Sequence, residues 1–287
     1  MVALVALIVI GGATRVMEAG LACPDWPLCY GSFFPGGKMN MQVFLEWFHR
    51  LDAFLVGIAL LIQFFLGLRF KTQLPNWLLW CYGLTVLLVI SQGLLGALTV
   101  SQLLPSYIVT FHLILALTLL SLMSGVTQSL LTPDDTKPPL WWTIFCGISL
   151  LAVIAQSLTG AIMATSWGAQ LCLYQGKSCQ LLNLHWLVAI PVSSMIIIFI
   201  ASSLLAGGWT RTQWPFLLGI FVLILLQISV GLLTIGSHLN EPLLRVGHQL
   251  IAALLVALFA GLSVRKPIHV SEISLQRKDS FLEVCHG

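Results

Sequence analysis

The sequence contains few charged residues. Asp, Glu, Lys and Arg together make up 8% of its 287 residues, whereas soluble domains contain about 25%. So few charges cannot cover a water-facing surface, which excludes an ordinary soluble enzyme. The chain also lacks a basic stripe interleaved with aromatic residues, so nucleic acid is not an expected partner. A secretory signal is not expected, because no basic segment precedes the first apolar run and no cleavage site follows it.

Long apolar runs make up most of the chain. Hydrophobic residues account for 58% of it, and the runs are about 20 residues long, the length at which a helix spans a bilayer. The first run is too short for a complete span. The sequence predicts an all-α integral membrane protein in a lipid bilayer, with eight transmembrane helices. They lie at roughly 1–14, 45–68, 77–99, 105–131, 140–163, 182–207, 214–236 and 243–264.

The distribution of Lys and Arg predicts the orientation, because these residues favour the cytoplasmic side of a membrane. One set of connections carries eight of them: Arg69, Lys71, Lys137, Arg211, Arg265, Lys266, Arg277 and Lys278. The other set carries five: Arg15, Lys38, Arg50, Lys177 and Arg245. The first set is therefore expected in the cytoplasm together with both termini. The long loops at 16–44 and 164–181 are expected outside.

Each long outer loop contains a close pair of cysteines. Cys23 and Cys29 lie in the first, and Cys172 and Cys179 lie in the second. The space outside a bacterial membrane is oxidising, so both pairs are predicted to form disulfides.

The chain repeats itself. His49 and His112 are 63 residues apart, as are His185 and His248, and the two pairs are offset by 136 residues. The surroundings also match, since "SQGLLGALTV" at 91–100 resembles "LQISVGLLTI" at 226–235.

Both repeats start on the inner side, so the repeat is parallel. It predicts two four-helix bundles side by side. The N-terminal bundle would comprise residues 1–131, the C-terminal bundle residues 132–264, and a polar cytoplasmic tail residues 265–287.

These four histidines begin alternate segments: the second, fourth, sixth and eighth. Each is expected roughly 5–10 Å below the outer surface, so that each bundle offers two histidines at one depth. That arrangement suits a haem held between two histidines. A single such histidine could merely bond a neighbour or line a polar cavity. Zinc or copper would require three or four clustered ligands, and each half supplies only two histidines in its helices, since His238 is expected to be solvated in a short outer loop.

The halves differ beside the first histidine. Glu46 lies three residues before His49, on the same helix face, whereas the matching position in the second half is Leu182. A carboxylate beside a haem ligand is a candidate for proton chemistry. Alternatively, Glu46 is a solvated residue at a helix start, favoured by the helix dipole. The asymmetry favours a reactive first half and a plain cofactor site in the second.

Each half also has one arginine near its expected haem, Arg50 in the first and Arg245 in the second. Arginine suits bidentate pairing with a haem propionate. The alternative is that both side chains anchor the helix ends at the membrane interface. Arg15 and Asp52 are weaker candidates.

Several stretches together carry a family resemblance: "GGATRV" at 11–16, "GLACPDWPLCYG" at 20–31, "EWFHR" at 46–50 and the helices around the other three histidines. With these, the chain resembles the haem A synthase family up to about residue 264. The resemblance implies an oxidoreductase that converts haem O to haem A by successive hydroxylation of a porphyrin methyl to a formyl group. It implies that His49 and His112 flank the substrate haem O and that Glu46 assists the oxidation. His185 and His248 would bind a haem b cofactor.

The resemblance also implies partners and a location. A haem O synthase would supply the substrate, a terminal oxidase would receive haem A, and the protein would lie in a bacterial cell membrane. Two other functions compete with this one. A membrane cytochrome b that only transfers electrons would share all four histidines but would not need Glu46. A transporter also often has repeated halves, but these helices lack charged residues at mid-depth.

Overall fold

The structure is a computed structural model that describes residues 1–131, 137–176 and 179–266. Over those ranges it consists of ten α-helices, one 3-10 helix at Gly36–Lys38 and connecting loops, without a strand. The helices are α1 Val2–Val16, α2 Met41–Arg69, α3 Asn76–Ser101, α4 Ser106–Leu131, α5 Leu140–Thr165, α6 Gly168–Gln175, α7 Gln180–Leu205, α8 Gly208–Thr212, α9 Trp214–Gly236 and α10 Pro242–Val264.

Seven of these helices are long and apolar enough to cross a membrane: α2, α3, α4, α5, α7, α9 and α10. Helix α1 has 15 residues and is shorter, as the sequence predicted. The long helices agree with the predicted segments to within a few residues, whereas the short α6 and α8 were not predicted. Lys177 and the part of the tail that includes Arg277 and Lys278 lie outside the described residues.

The outward faces of the long helices are apolar. Trp80 is 82% exposed and Leu205 is 86% exposed, which in water would be costly for side chains of this size. A bilayer removes that cost because its hydrocarbon core solvates apolar surface. The chain is therefore a multi-pass membrane protein.

Helix α10 is extensively packed, against α1, α4, α5 and α9. Its contact with α4 is close: Ser124 Oγ donates to the carbonyl of Ala257 at 2.6 Å, and Gly125 and Gly261 keep side chains out of this interface. Small residues commonly allow transmembrane helices to approach one another. The first four helices also contact in sequence, α1 with α2, α2 with α3 and α3 with α4.

The loops at 17–40, 102–105 and 237–241 and the short helix α6 lie at one end of the molecule, here called the histidine end. Tyr174 of α6 connects two of these segments by donating its hydroxyl to the carbonyl of His238 at 2.8 Å. Both predicted disulfides are confirmed at this end: Cys23 with Cys29 and Cys172 with Cys179. They close short loops that connect consecutive helices.

The opposite end contains a packed aromatic core in the second half. Trp142 is fully buried, and its ring lies 5.0 Å from Phe199 and 5.2 Å from Trp209, measured between centroids. Its indole N–H donates to the carbonyl of Leu262 at 3.0 Å, which ties α5 to the end of α10. This core holds the second-half helices in place at a distance from the histidines.

Replacing Trp142 with Ala should therefore destabilise the protein strongly, because it removes a buried ring and a hydrogen bond between helices. We expect a loss of about 3 kcal/mol or more, measured as a lower melting temperature of the protein in detergent. Trp80→Ala is the matched control, since that ring faces outward and its removal should change the melting temperature little. Equal losses in both variants would contradict this account of the core.

Candidate functional site

The four histidines occupy equivalent positions near the histidine end. His49 lies in α2, His112 in α4, His185 in α7 and His248 in α10, and all four are half-buried. Each falls within the first three turns of its helix, about 8–12 Å along the axis from its start. These positions are consistent with the expectation that the two histidines of each pair lie at the same depth.

His185 and His248 approach one another directly. Their ring centroids are 6.3 Å apart and the ring planes are inclined by 62°. Bonds from a metal to imidazole nitrogen are about 2 Å long, so two imidazoles on opposite sides of one iron would have centroids about 6 Å apart. The separation of this pair fits ligation of a haem iron. His49 and His112 also lie near enough to interact electrostatically.

Buried polar atoms without a hydrogen-bond partner gather around these rings. Within the described part of the chain they include Nδ1 of His49, His112 and His248 and Oε1 of Gln156 and Gln227. Such atoms are uncommon in proteins and call for an explanation. Their concentration marks a polar site around the four rings, and the spacing of His185 and His248 fits a haem.

Each histidine ring packs against a glycine of a neighbouring helix. A Cβ atom built on these glycines would lie 2.8, 3.8, 3.1 and 3.1 Å from the imidazole Cε1 in the pairs Gly11–His49, Gly96–His112, Gly160–His185 and Gly231–His248. Three of these distances are shorter than an ordinary contact. The absent side chains thus make room for the rings, and the tightest approach is at His49.

Three of the same neighbouring helices carry a glutamine four residues before the glycine. Gln92 and Gln156 donate their amide N–H to the backbone carbonyls of His112 and His185, both at 2.9 Å, and Gln227 Nε2 lies 3.2 Å from His248 Nε2. Sequence reasoning missed these residues. The signal was present, since the repeated stretches "SQGLLGALTV" and "LQISVGLLTI" share the glutamine and the glycine.

Glu46 is buried, with only 3% of its surface exposed. Its Oε2 accepts a hydrogen bond from the backbone N–H of Cys23 at 2.7 Å, and its Oε1 forms an ion pair with Arg50. The alternative that Glu46 is a solvated residue at a helix start is therefore wrong. The carboxylate joins the first disulfide loop to the helix that carries His49.

Arg50 is held by the same loop. Its guanidinium donates to the carbonyls of Asp25 and Leu28 as well as to Glu46. Asp25 in turn accepts hydrogen bonds from the backbone N–H of Gly31 at 2.7 Å and of Tyr30 at 2.6 Å. Both hydrogen bonds lower the pKa of the Asp25 carboxyl, and the bond from Gly31 has the larger effect. The loop is thus a hydrogen-bonded cover fixed to the start of α2.

Two arginines lie at the boundary between the halves. Arg245 of α10 donates to the carbonyl of Val16 at 3.2 Å, and its Nε is buried without a partner among the described residues. Arg15 at the end of α1 donates to the carbonyl of Ala164 at 3.2 Å and lies over the ring of Trp167. Both side chains therefore reach from one half to the other. The partnerless Nε of Arg245 is a donor that remains for an anionic group.

The glycine contacts give a matched pair of variants. In Gly11→Ala the new methyl group would lie 2.8 Å from the ring of His49 and must displace it, whereas in Gly96→Ala the methyl would lie at an ordinary 3.8 Å from His112. If His49 is a haem ligand, the first variant should reduce haem bound at the first pair by about tenfold or more, and the second should bind normally. Haem content of the purified proteins measures this, and similar losses in both variants would contradict the packing argument.

Comparison with known proteins gives a consistent result. The profile of a family described as cytochrome oxidase assembly protein (COX15-CtaA) matches residues 1–260. A protein of Shewanella oneidensis named "Heme A synthase" is 28% identical over 87% of this chain and 89% of its own length. One of Azorhizobium caulinodans with the same name is 23% identical over 88% of each chain. A shorter match, 36% identical over 22% of this chain and 13% of the relative, is to a protoheme IX farnesyltransferase of Haloarcula marismortui. The chain therefore belongs to the COX15-CtaA family of cytochrome oxidase assembly proteins, and its resemblance to haem A synthases is confirmed over almost its whole length.

Proposed function

We propose that the protein is a haem A synthase of a bacterial cell membrane, which oxidises a methyl group of haem O to a formyl group. The observation that carries this proposal is the match to two haem A synthases along nearly 90% of the chain. The four histidines at the ends of alternate long helices supply the ligands that a haem substrate and a haem cofactor would need.

The two-bundle architecture is part of the proposal. Residues 1–131 would form the substrate half and residues 132–264 the cofactor half, and the contacts of α10 with α4 and α1 would join them. The larger number of Lys and Arg residues at the opposite end favours a cytoplasmic location for both termini and for the tail at 265–287. The two disulfides support placing the histidine end outside.

In the second half, His185 and His248 would hold a haem b. The 6.3 Å separation of their rings supports this assignment. When bound, such a haem supplies one-electron exchange. Arg245 reaches the same end of the molecule from α10, and its Nε, which has no partner among the described residues, makes it the candidate partner for a propionate.

In the first half, His49 and His112 would hold haem O as the substrate. Two successive hydroxylations of one methyl carbon give a hydrate, which loses water to form the aldehyde of haem A. With water as the oxygen source, each hydroxylation releases two electrons and two protons; an external electron acceptor would take the electrons, and a carboxylate within reach can accept a proton. Glu46 lies one turn from His49 and its carboxylate forms an ion pair with Arg50, so it is the candidate for this base.

The loop that covers this half would shape the site further. Arg50 and Glu46 fix the loop from Cys23 to Cys29 against α2. Arg50 is also the candidate partner for a propionate of haem O. In that role its guanidinium would bind the propionate in place of one of the loop carbonyls. The loop would then separate the site from the bulk solution at the histidine end.

The partners follow from the same chemistry. A haem O synthase would deliver the substrate, and a terminal oxidase would receive haem A. The description of the family as cytochrome oxidase assembly proteins supports the second partner.

A direct test is to express the chain with a haem O synthase in cells that make no haem A, and to identify the extracted haems by chromatography with mass detection. The proposal predicts haem A together with haem b. Haem b alone, with haem O demonstrably present in the cells, would favour a cytochrome b that only transfers electrons.

The role of Glu46 is tested in the same cells. Glu46→Gln keeps the size of the side chain and an oxygen that can accept from Cys23, but it is a much weaker base. We expect haem O to remain bound and haem A formation to fall about 100-fold or more. Glu241→Gln, an exposed carboxylate at the start of α10, is the control and should behave as wild type. Normal haem A formation by Glu46→Gln would exclude the base role.

A further inference from the structure

His185 differs from the other three histidines in the surroundings of its Nδ1 atom. The hydroxyl oxygen of Thr159 in α5 lies 2.8 Å from this nitrogen. The Nδ1 atoms of His49, His112 and His248 are buried without a partner in the described part of the chain. One of the four rings therefore has a hydrogen-bond partner on the side that faces away from a metal bound at Nε2.

The direction of this hydrogen bond follows from the second contact of Thr159. A hydroxyl has one hydrogen, and that of Thr159 is donated to the backbone carbonyl of Gln156 at 2.7 Å. Its oxygen then accepts from Nδ1–H of His185. The Nε2 atom of this tautomer carries the lone pair that a metal ligand must have, and the amide nitrogen of Gln156 lies 3.3 Å from it.

Gln156 completes the contact between α5 and α7. Its Nε2 donates to the carbonyl of His185 at 2.9 Å and lies 3.1 Å from the ring Nδ1. The ring is thus approached from α5 by a hydroxyl, an amide and the bare backbone of Gly160. Together these groups restrict rotation of the imidazole.

The repeat shows that the hydroxyl is specific to this site. Thr159 immediately precedes Gly160, and the residues before the other three glycines are Ile10, Leu95 and Val230. The local geometry is nearly the same at His248: a Cβ on Gly231 would lie 3.1 Å from Cε1 and 3.5 Å from Nδ1, against 3.1 and 3.6 Å for Gly160 and His185. The two ligands of the second site differ in chemistry rather than in position.

We propose that Thr159 is a positioning residue of the second haem site, which fixes the tautomer of His185 and tunes the bond from its Nε2 to iron. This inference rests on the proposed function, because it takes His185 as a ligand of haem b. A ligating histidine that donates its other N–H to an acceptor becomes a more basic ligand. A more basic ligand stabilises ferric over ferrous iron, so the hydroxyl lowers the reduction potential of this haem.

The test uses the haem-loaded protein purified in detergent and an optical redox titration of its haem b. Thr159→Val keeps the shape of the side chain but removes the hydroxyl. We expect the equilibrium ratio of ferric to ferrous haem at a given potential to fall about tenfold, which corresponds to a midpoint potential about 59 mV higher. Haem should also dissociate about tenfold faster. Thr159→Ser restores the hydroxyl and should return both values towards wild type.

Ser157→Ala is the matched control. Its hydroxyl lies two residues away on the same helix and bonds the carbonyl of Val153, so its removal should leave the potential unchanged. An equal shift in Ser157→Ala, or an unshifted potential in Thr159→Val, would overturn the proposal.

Val230→Thr is a second variant that does not depend on the stability of Thr159→Val. It places a hydroxyl beside the partnerless Nδ1 of His248, at the position equivalent to Thr159. We expect a lower midpoint potential and slower loss of haem. A raised or unchanged potential would contradict the tuning mechanism. Wild-type protein that folds but binds no haem b would instead refute the cofactor site of the proposed function.

Discussion

The close approach of an imidazole to the bare backbone of a neighbouring helix is the contact on which the rest of the structure depends. It occurs at all four histidines, and at Gly11, Gly160 and Gly231 a side chain in place of the glycine would crowd the ring. Within a bilayer the polar ring atoms have no water to bond, so their partners must come from the protein or from a bound group. The glutamines supply part of this bonding, and Nδ1 of His49, His112 and His248 has no partner among the described residues.

The residues that differ between the two halves then indicate a different function for each half. The first half has the tightest approach of a histidine ring to a glycine, at Gly11, and a buried carboxylate one turn from His49, Glu46, which is fixed to a disulfide loop. The second half has the paired rings at 6.3 Å and the hydroxyl of Thr159 on one of them. A covered site with a base suits chemistry on a substrate, and a rigid pair with a tuned ligand suits a resident cofactor.

The sequence predicted the long helices and both disulfides because their signals are local: hydropathy over about 20 residues, and cysteines six or seven positions apart in loops on the oxidising side. It missed α6 and α8, which are too short for a periodic pattern. The partners of Glu46 were also out of reach, because the backbone of Cys23 meets it only after the loop folds back on α2. Gln92 and Gln227 could have been found by comparing the repeats, but their bonds to histidines depend on how helices pack side by side.

The haem content of two single variants tests whether the first half holds the substrate and the second half holds the cofactor. His112→Ala and His248→Ala would each be purified from cells that contain a haem O synthase, and their haems would be extracted and identified. The account predicts that His248→Ala loses haem b and keeps haem O at the first pair, whereas His112→Ala keeps haem b and forms no haem A. Retention of haem b by His248→Ala, or its loss from His112→Ala alone, would contradict the assignment of the two sites.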